Sequence, residues 1–507
     1  DEYNAQPNEI WEPTTKPFDT QWYGTDSGYN YYCIYDYLSH FYAMSRGDAP
    51  LTSATLGHYD VLVIKVPTRA YSADEISAIR DFVHGGGGLL LIGEHTNVFH
   101  TSDYLNPIAR TFGFEFREDC LFGIDSVFEQ QYEPPLVPDP IVQHLDRMNF
   151  ATSCSIDPGS SRGAAVILDT GLKNLLADYH SDNFYPLPED RAEMRYGAFV
   201  QLWSTRHGAG RVTAFTDSTI FSNFCVFDPG KSELMLGMIE WLNHRGPRFP
   251  YQNLLLGVGI VIAVIALGVA YVWRLDFVLF VTVSLFGTSV AIAAVQHIHS
   301  SQMPPPDPVR DFVQVNVDRT VSEAPLSRNG FVDGTRDGFG IFERWLLRLG
   351  YFTSRRERSN VFDGDLVVML RPQILPEESF RADLVRYVFD GGNVLVLDSA
   401  RDHSTTNVVL EPFGLSVDVG VPVDGPLRTE LDWPVVPVGG AVVTTGGRPF
   451  AWIDEQPVGT VLKHGRGSVT LIGIADRFCD AEMGRSGDVV PDESLQRVFD
   501  LQFALVR

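Results

Sequence analysis

The sequence predicts an α/β protein built as two domains flanking a two-helix transmembrane hairpin. Three observations predict it. Residues Leu254 to Trp273 and Phe277 to Gln296 form two uncharged apolar runs, separated by Arg274, Leu275 and Asp276. On either side, short Val- and Ile-rich runs alternate with amphipathic patterns, as buried strands alternate with covering helices. The pattern that follows the hairpin repeats the one that precedes it.

A helix rises about 1.5 Å per residue, so a run of about 20 apolar residues covers a hydrocarbon core of roughly 30 Å. Each apolar run meets that length. No charge lies inside either run, so the hairpin reads as an anchor and not an ion path. Two crossings return the chain to the side it left, which places both flanking domains in one compartment. The expected domains are residues 1–249, with an insertion at about 118–200, the hairpin at 251–297, a Pro-rich linker at 298–310, and residues 311–507.

The elements follow in order. Residues 1–27 have no period and read as an irregular lead-in. Tyr31, Ile34, Tyr35, Leu38 and Phe41 recur at helical spacing. Tyr29, Tyr31, Tyr32, Tyr35 and Tyr37 divide between core and rim, with an aromatic binding face as the alternative. The run around Val61 to Ile64 suits a buried parallel strand. Ser72 is placed as an N-cap, with Asp74 and Glu75 in the first turn of the next helix. Gly85 to Gly88 lacks the GK[ST] ending of a phosphate loop and precedes a strand, so it reads as a helix C-cap and turn. Leu89 to Ile92 is the next strand. A helix is expected over Tyr104 to Phe112, and an elaborated loop region over Glu118 to Arg162. Arg211 to Phe215 reads as a late strand and Ser232 to Asn243 as a closing helix.

Asp60 onward can be written over Asp365 onward without a gap. Val61 to Ile64 falls on Leu366 to Met369, Gly86-Gly87 on Gly391-Gly392, and Leu89 to Ile92 on Val394 to Leu397. The helix at Tyr31 to Tyr42 has its counterpart at Phe339 to Leu349. Late in each half, GRVTAFTDSTIF (Gly210 to Phe221) matches GSVTLIGIADRF (Gly467 to Phe478). One α/β domain is used twice.

The formal net charge of -25 argues against a nucleic-acid partner, which requires basic patches. Cys33, Cys120, Cys154, Cys225 and Cys479 show no CxxC spacing, so a structural zinc site is not expected. The odd count leaves one thiol unpaired. A Cys120–Cys154 disulfide is one pairing left open.

The repeated segments YDVLVIKVPTRAYSADEISAIRDFVHGGGGLLLIGE, NPIARTFGF and GRVTAFTDSTIFSN resemble the glutamine-amidotransferase-like domain (GIFT-type) of gliding-motility-type ABC transporter auxiliary subunits and related uncharacterised membrane proteins. DGDLVVMLRPQILPEESFRADLVRYVFDGGNVLVLD and EPFGL carry the resemblance in the second copy. It implies flavodoxin-like three-layer domains of the class I glutamine-amidotransferase type. Active members place a nucleophilic Cys on an elbow after such a strand. Here the elbow reads Gly93-Glu94-His95 in one copy and Asp398-Ser399-Ala400 in the other. A thiolate nucleophile needs a sulfur there, so amidotransferase chemistry is expected to be absent from both copies.

Glu94, His95, Asn97, His100 and Asp103 cluster at the carboxyl end of a strand, where open α/β sheets bind ligands. Asp217 and Ser218, after the late strand, either line the same crevice or cap the following turn. Ser399, Arg401, Asp402 and His403 form the corresponding group in the second copy. The expected function is a non-catalytic, membrane-anchored scaffold or accessory subunit, without cofactor or metal. Its expected partners are other integral membrane subunits of a complex, recognised through these loops or the 118–200 insertion. Homo- or hetero-oligomerisation is left open. The alternatives are a metal-dependent hydrolase using His95, His100 and Asp103, and a small-molecule or glycan sensor. The chain begins with Asp1 and not Met, which leaves open whether a signal peptide or anchor precedes it. Arg245, Arg248 and Arg310 on the domain side favour cytoplasmic domains. The start and the resemblance favour extracytoplasmic ones, and the extracytoplasmic side is the expectation taken.

Overall fold

The computed structural model describes residues 31–507 except 48, 125–129, 146, 152, 177–191, 224, 245–256, 260, 263, 270–276, 323–336, 402 and 485–490. The lead-in and Tyr29 therefore lie outside the described residues.

The first copy opens with α1 (Tyr32–Ser39), β1 (Val61–Lys65), α2 (Ala73–His84), β2 (Gly88–Ile92) and α3 (Thr101–Ala109). It continues with β3 (Asp119–Gly123), β4 (Gly163–Leu176), β5 (Arg195–His207), β6 (Gly210–Phe215) and α4 (Lys231–Asn243). Local chemistry explains the boundaries. The Ser72 hydroxyl accepts from Glu75 N while the Glu75 carboxylate accepts from Ser72 N, a reciprocal cap on α2. Gly86 (φ +119°) then turns the chain into β2. Every residue of β2 is buried, because helices cover both of its faces.

The sheet order is β1-β2-β6-β5-β4-β3. β1, β2 and β6 are parallel, and the remaining pairs are antiparallel. The sheet is thus mixed, and the fold class differs from the all-parallel flavodoxin-like expectation. The difference comes partly from the 118–200 insertion and partly from the antiparallel hairpin that leads into the late strand, which the second half has as well. In the insertion, β3 lies where a loop region is expected, and the long β4, which follows that region, pairs with it to extend the sheet.

The second copy repeats the plan with β7 (Gln314–Asp318), α6 (Gly340–Leu346), β8 (Phe352–Arg356), β9 (Leu366–Leu370), α7 (Glu378–Asp390) and β10 (Asn393–Leu397). After α8 (Thr406–Leu410) come β11 (Ser416–Pro426), β12 (Arg428–Thr429), β13 (Pro437–Thr445), β14 (Arg448–Ile453), β15 (Gln456–His464), β16 (Gly467–Ile472) and α9 (Glu493–Val506). Its sheet runs β8-β7-β9-β10-β16-β15-β14-β12, and β11 pairs separately with β13.

The segment between the copies corrects the membrane expectation. Among the described residues no helix is long and apolar enough to cross a membrane. The first apolar run is described only in part. The second lies in α5 (Phe277–Gln302), inserted between α4 and β7. Polar residues occur along this helix and gather at its end. Ser284, Thr288, Ser289, Gln296, His297 and His299 punctuate it. Its end is also docked on the first copy. Gln296 Nε2 donates to Leu136 O at 2.8 Å, His299 Nδ1 lies 3.1 Å from Pro138 O, and Gln143 Nε2 donates to Met303 O at 2.8 Å. The transmembrane hairpin, the integral-membrane localisation and the transporter-subunit setting built on them are not supported.

The two copies touch directly. One apolar core runs from Tyr31, Tyr37 and Leu234 of the first to Phe342, Phe352 and Phe499 of the second. Tyr37 stacks on Phe352 with ring centroids 3.9 Å apart. Arg355 N donates to Phe227 O at 2.9 Å, and Arg356 pairs with Glu233. Beneath this seam the Arg355 guanidinium, 3% exposed, meets Glu343, 0% exposed, through both of its oxygens. A buried ion pair that loses one member leaves an uncompensated charge, at a cost of roughly 3–5 kcal/mol. Glu343→Ala is expected to lower unfolding free energy by about that amount in urea titrations. The double variant Glu343→Leu/Arg355→Met is expected to recover most of it. A single variant within about 0.5 kcal/mol of the parent would show the pair to be dispensable.

Candidate functional site

The carboxyl ends of β1, β2 and β6 converge on Glu94. Gly93 N donates to Phe215 O at 2.8 Å and Ser218 N to Gly93 O at 3.2 Å, so the two strand exits stay zipped together. This brings Ser218 and Thr219 under the Glu94 carboxylate, which is 3% exposed. Its Oε1 accepts from His95 N at 3.0 Å. Its Oε2 accepts from Ser218 Oγ (2.7 Å), Thr219 N (3.1 Å) and Thr219 Oγ1 (2.9 Å). Ser218 gives its proton to Glu94, so the Tyr31 hydroxyl at 3.1 Å is the donor to Ser218. Lys65 Nζ lies 3.6 Å from the centroid of the Tyr31 ring.

The other first-copy candidates do not join this centre. His95 is buried and its Nδ1 pairs with Thr96 Oγ1 at 2.8 Å. Thr96, Asn97, Phe99 and His100 all adopt positive φ, a strained turn that leaves His100 at the surface while Thr101 and Ser102 behind it are buried. Asn97 Oδ1 accepts from Ser102 N (2.9 Å) and Asp103 N (3.3 Å), which caps α3. Asp103 receives Asn97 Nδ2 and His100 Nδ1, each at 3.1 Å, in an exposed knot. Asp217 is buried and accepts from Ala151 N (2.7 Å) and Ile220 N (3.3 Å). Among the described residues no group of three or more His, Cys, Asp or Glu side chains is placed to hold a metal. All five cysteines are buried and free, so Cys120 and Cys154 are not bridged.

The second copy builds its strand-end cluster differently. Ser399 Oγ donates to Asp476 and accepts from Arg371 Nε at 3.2 Å, and Arg371 also pairs with Asp476. Asp398 accepts from Ser399 N (2.9 Å) and Ser404 Oγ (2.6 Å) and pairs with Arg401 at 2.9 Å. Arg401 also donates to Arg371 O and Pro372 O. His403 is exposed and outside this network; Asp402 lies outside the described residues.

Strand register makes the copies comparable. Glu94 stands two residues past Ile92, and Ser399 two past its equivalent Leu397. Thr219 stands four past Phe215, and Asp476 four past Ile472. The carboxylate and the hydroxyl have therefore changed places between the copies. Tyr31, Lys65, Thr219, Arg371, Asp476 and Ser404 are site residues that the sequence reading missed. The overlay of Gly210–Phe221 on Gly467–Phe478 already set Thr219 against Asp476, so that exchange was visible.

Residues 39–239 match a family described as a domain of unknown function (DUF4350). The match covers less than half of the chain, and includes Glu94 and Thr219 but neither Tyr31 nor the second copy. No curated protein sequence matches the chain. Among solved structures, the mmIFT52 N-terminal domain is 14% identical with a TM-score of 0.29, over 38% of this chain and 97% of that one. The GH42 beta-galactosidase Gan42B from G. stearothermophilus is 14% identical with a TM-score of 0.25, over 37% of this chain and 32% of that one. The exo-beta-1,4-mannosidase Op5Man5 from Opitutaceae bacterium strain TAV5 is 13% identical with a TM-score of 0.28, over 43% and 39%. This chain thus spans about a third of each of these glycosidases, and likenesses this low carry no functional argument.

Burial sets the charge state of the site. It pushes the Glu94 carboxyl up from 4.5 to about 7, against the four hydrogen bonds that favour ionisation. Burial pushes His95 down from 6.5 to about 4. The folded state holds the Glu94 proton that the unfolded chain releases, so Glu94 lowers stability as pH rises from about 4.5 to about 7. The unfolded chain binds a proton that folded His95 refuses, so His95 raises stability as pH rises from about 4 to about 6.5. The two slopes oppose each other over the shared window. Glu94→Gln removes one of them. Denaturation of that variant is expected to show stability climbing with pH up to about 6.5, where the parent is flatter. Identical pH profiles for parent and variant would refute the raised Glu94 value.

Proposed function

We propose that the chain is a non-catalytic recognition module, in which two copies of one α/β domain form a single body that presents surfaces to a protein partner in a larger assembly. One observation carries this reading: in both copies the polar groups at the strand ends are spent on one another. Glu94 is closed over by Ser218, Thr219 and His95 N, and Asp476 by Arg371 and Ser399. Neither elbow carries a sulfur nucleophile. The hydrolase alternative is not favoured, since His95 pairs inward with Thr96 while His100 and Asp103 pair with each other at the surface.

The exposed surface of the insertion supports a partner-facing role. β4 and β5 form a long antiparallel pair on which Leu168 and Tyr196 are about half exposed, at 51% and 52%. Apolar side chains on a protruding pair of strands suit recognition by another protein. The test uses the tagged full chain purified from its native source, assayed in parallel for ester, amide and phosphoester hydrolysis. A stoichiometric partner lost in Leu168→Asp/Tyr196→Asp is expected, with no turnover above background. Turnover that disappears in Glu94→Gln would overturn the proposal in favour of an enzyme.

A further inference from the structure

The opposite end of the first copy holds an arginine-bearing cleft that the partner reading does not use. It has a volume of about 620 Å³ and is lined by Tyr59, Asp60, Phe82, Gly85 to Gly87, Arg206, Arg211 and His244, among others. That lies within the roughly 300–1,000 Å³ of small-molecule sites.

The placement of the two arginines is unusual. Arg206 and Arg211 are directly opposite in the β5–β6 register, so both side chains stand on one face of the sheet. Like charges in that relation repel. Arg206 is exposed, whereas Arg211 is 6% exposed. Among the described residues the Arg211 guanidinium has one hydrogen-bond acceptor, Trp241 O at 2.5 Å, and lies 5.1 Å from the Trp241 ring. Burial and the Arg206 charge push Arg211 down to about 10, and burial and both arginines push His244 down. The acids in the lining are Asp60 and Asp81, and Asp81 is paired with Arg80 at 2.9 Å. Two guanidiniums opposite each other on one sheet face, one of them buried, carry a cost that a bound anion would offset.

The second copy provides an internal comparison. The equivalent cleft, of about 540 Å³, is lined by Asp365, Asp383 and Asp390 with Arg386. Lys463 and Ser468 occupy the register positions of Arg206 and Arg211, and Ser468 Oγ is tied to Asn393 at 2.8 Å. Gly364 stands where the first copy has Tyr59, the residue before the Asp that leads into the strand. The arginine pair is therefore present in one copy and missing from the other, whereas rings line both clefts: Tyr59 and Phe82 in the first, Phe362 and Tyr387 in the second. Tyr59, 46% exposed, offers a ring face beside the cationic groups.

We propose that this basal cleft binds a phosphomonoester bearing a planar ring, with the phosphate held by Arg206, Arg211 and His244 and the ring against Tyr59. Guanidinium groups grip phosphate oxygens through paired donors, and an aromatic face accepts a flat group by stacking. The test is calorimetric titration of the full chain with adenosine 5′-monophosphate, inorganic phosphate and adenosine separately. The monophosphate is expected to bind at least tenfold more tightly than either fragment. Arg206→Glu, at an exposed position, is expected to weaken it at least tenfold, and Lys463→Glu in the second copy to leave it unchanged. No binding of the monophosphate, or equal binding by Arg206→Glu, would overturn the site. Inorganic phosphate binding as tightly as the monophosphate would overturn the role of the ring.

Discussion

The Arg355–Glu343 pair is the constraint around which the two halves are arranged. Arg355 belongs to β8, and its own backbone N–H crosses to Phe227 of the first copy. Its side chain turns back to α6, the counterpart of α1. The strand that meets the first copy is thus fixed to the helix that begins the second. A full charge sealed from water tolerates little displacement of its partner. Tyr37 on Phe352 and Arg356 on Glu233 then fall into place as neighbours of a fixed strand.

Quasi-symmetry reaches further than the strands. α1 and α6 begin in the same way: Cys33 N donates to Asn223 Oδ1 at 2.9 Å, and Ile341 N donates to Asp480 Oδ1 at 2.8 Å. The acceptor in each case comes from the loop after the late strand. That loop therefore ties a helix N-terminus to the strand-end cluster. Val66 and Arg371, one residue beyond β1 and β9, both take positive φ. In the second copy this kink carries Arg371 to Asp476; in the first, Lys65 beside the kink covers Tyr31. The same backbone plan supports two different polar solutions.

Much of this plan was legible in the residues. The Ser72–Glu75 cap, the Gly-rich turn before β2, the late strand and the repeat are all local or periodic signals, and local chemistry decides them. The antiparallel extension was not legible. β3 comes from a stretch rich in Pro and Asp, and a strand of that kind is specified by the sheet it joins. Hydropathy records composition and is blind to docking: Gln296 and His299 anchor the end of α5 to carbonyls of the 136–138 segment, while Leu285 and Phe286 earlier in it stay exposed. Within the site, Glu94 and Ser218 were found by their position after strands. Tyr31 was assigned to a helix face, because nothing local announces a hydroxyl that reaches a serine in the last third of the domain.

The exchange of Glu94 and Thr219 for Ser399 and Asp476 has a consequence for how the copies could have diverged. Start from either arrangement and change one position to its counterpart. Thr219→Asp in the first copy sets two carboxylates against each other, and Glu94→Ser leaves hydroxyls facing hydroxyls with no acceptor of full charge. Either change breaks the pairing of one carboxylate with hydroxyl donors that the first copy has. The two positions are thus epistatic, with the effect of each residue reversing sign according to its partner. Once the copies had parted along this axis, gene conversion of one strand end alone would have been penalised. The halves share a backbone plan, and the strand-end hydrogen bonds are where they differ.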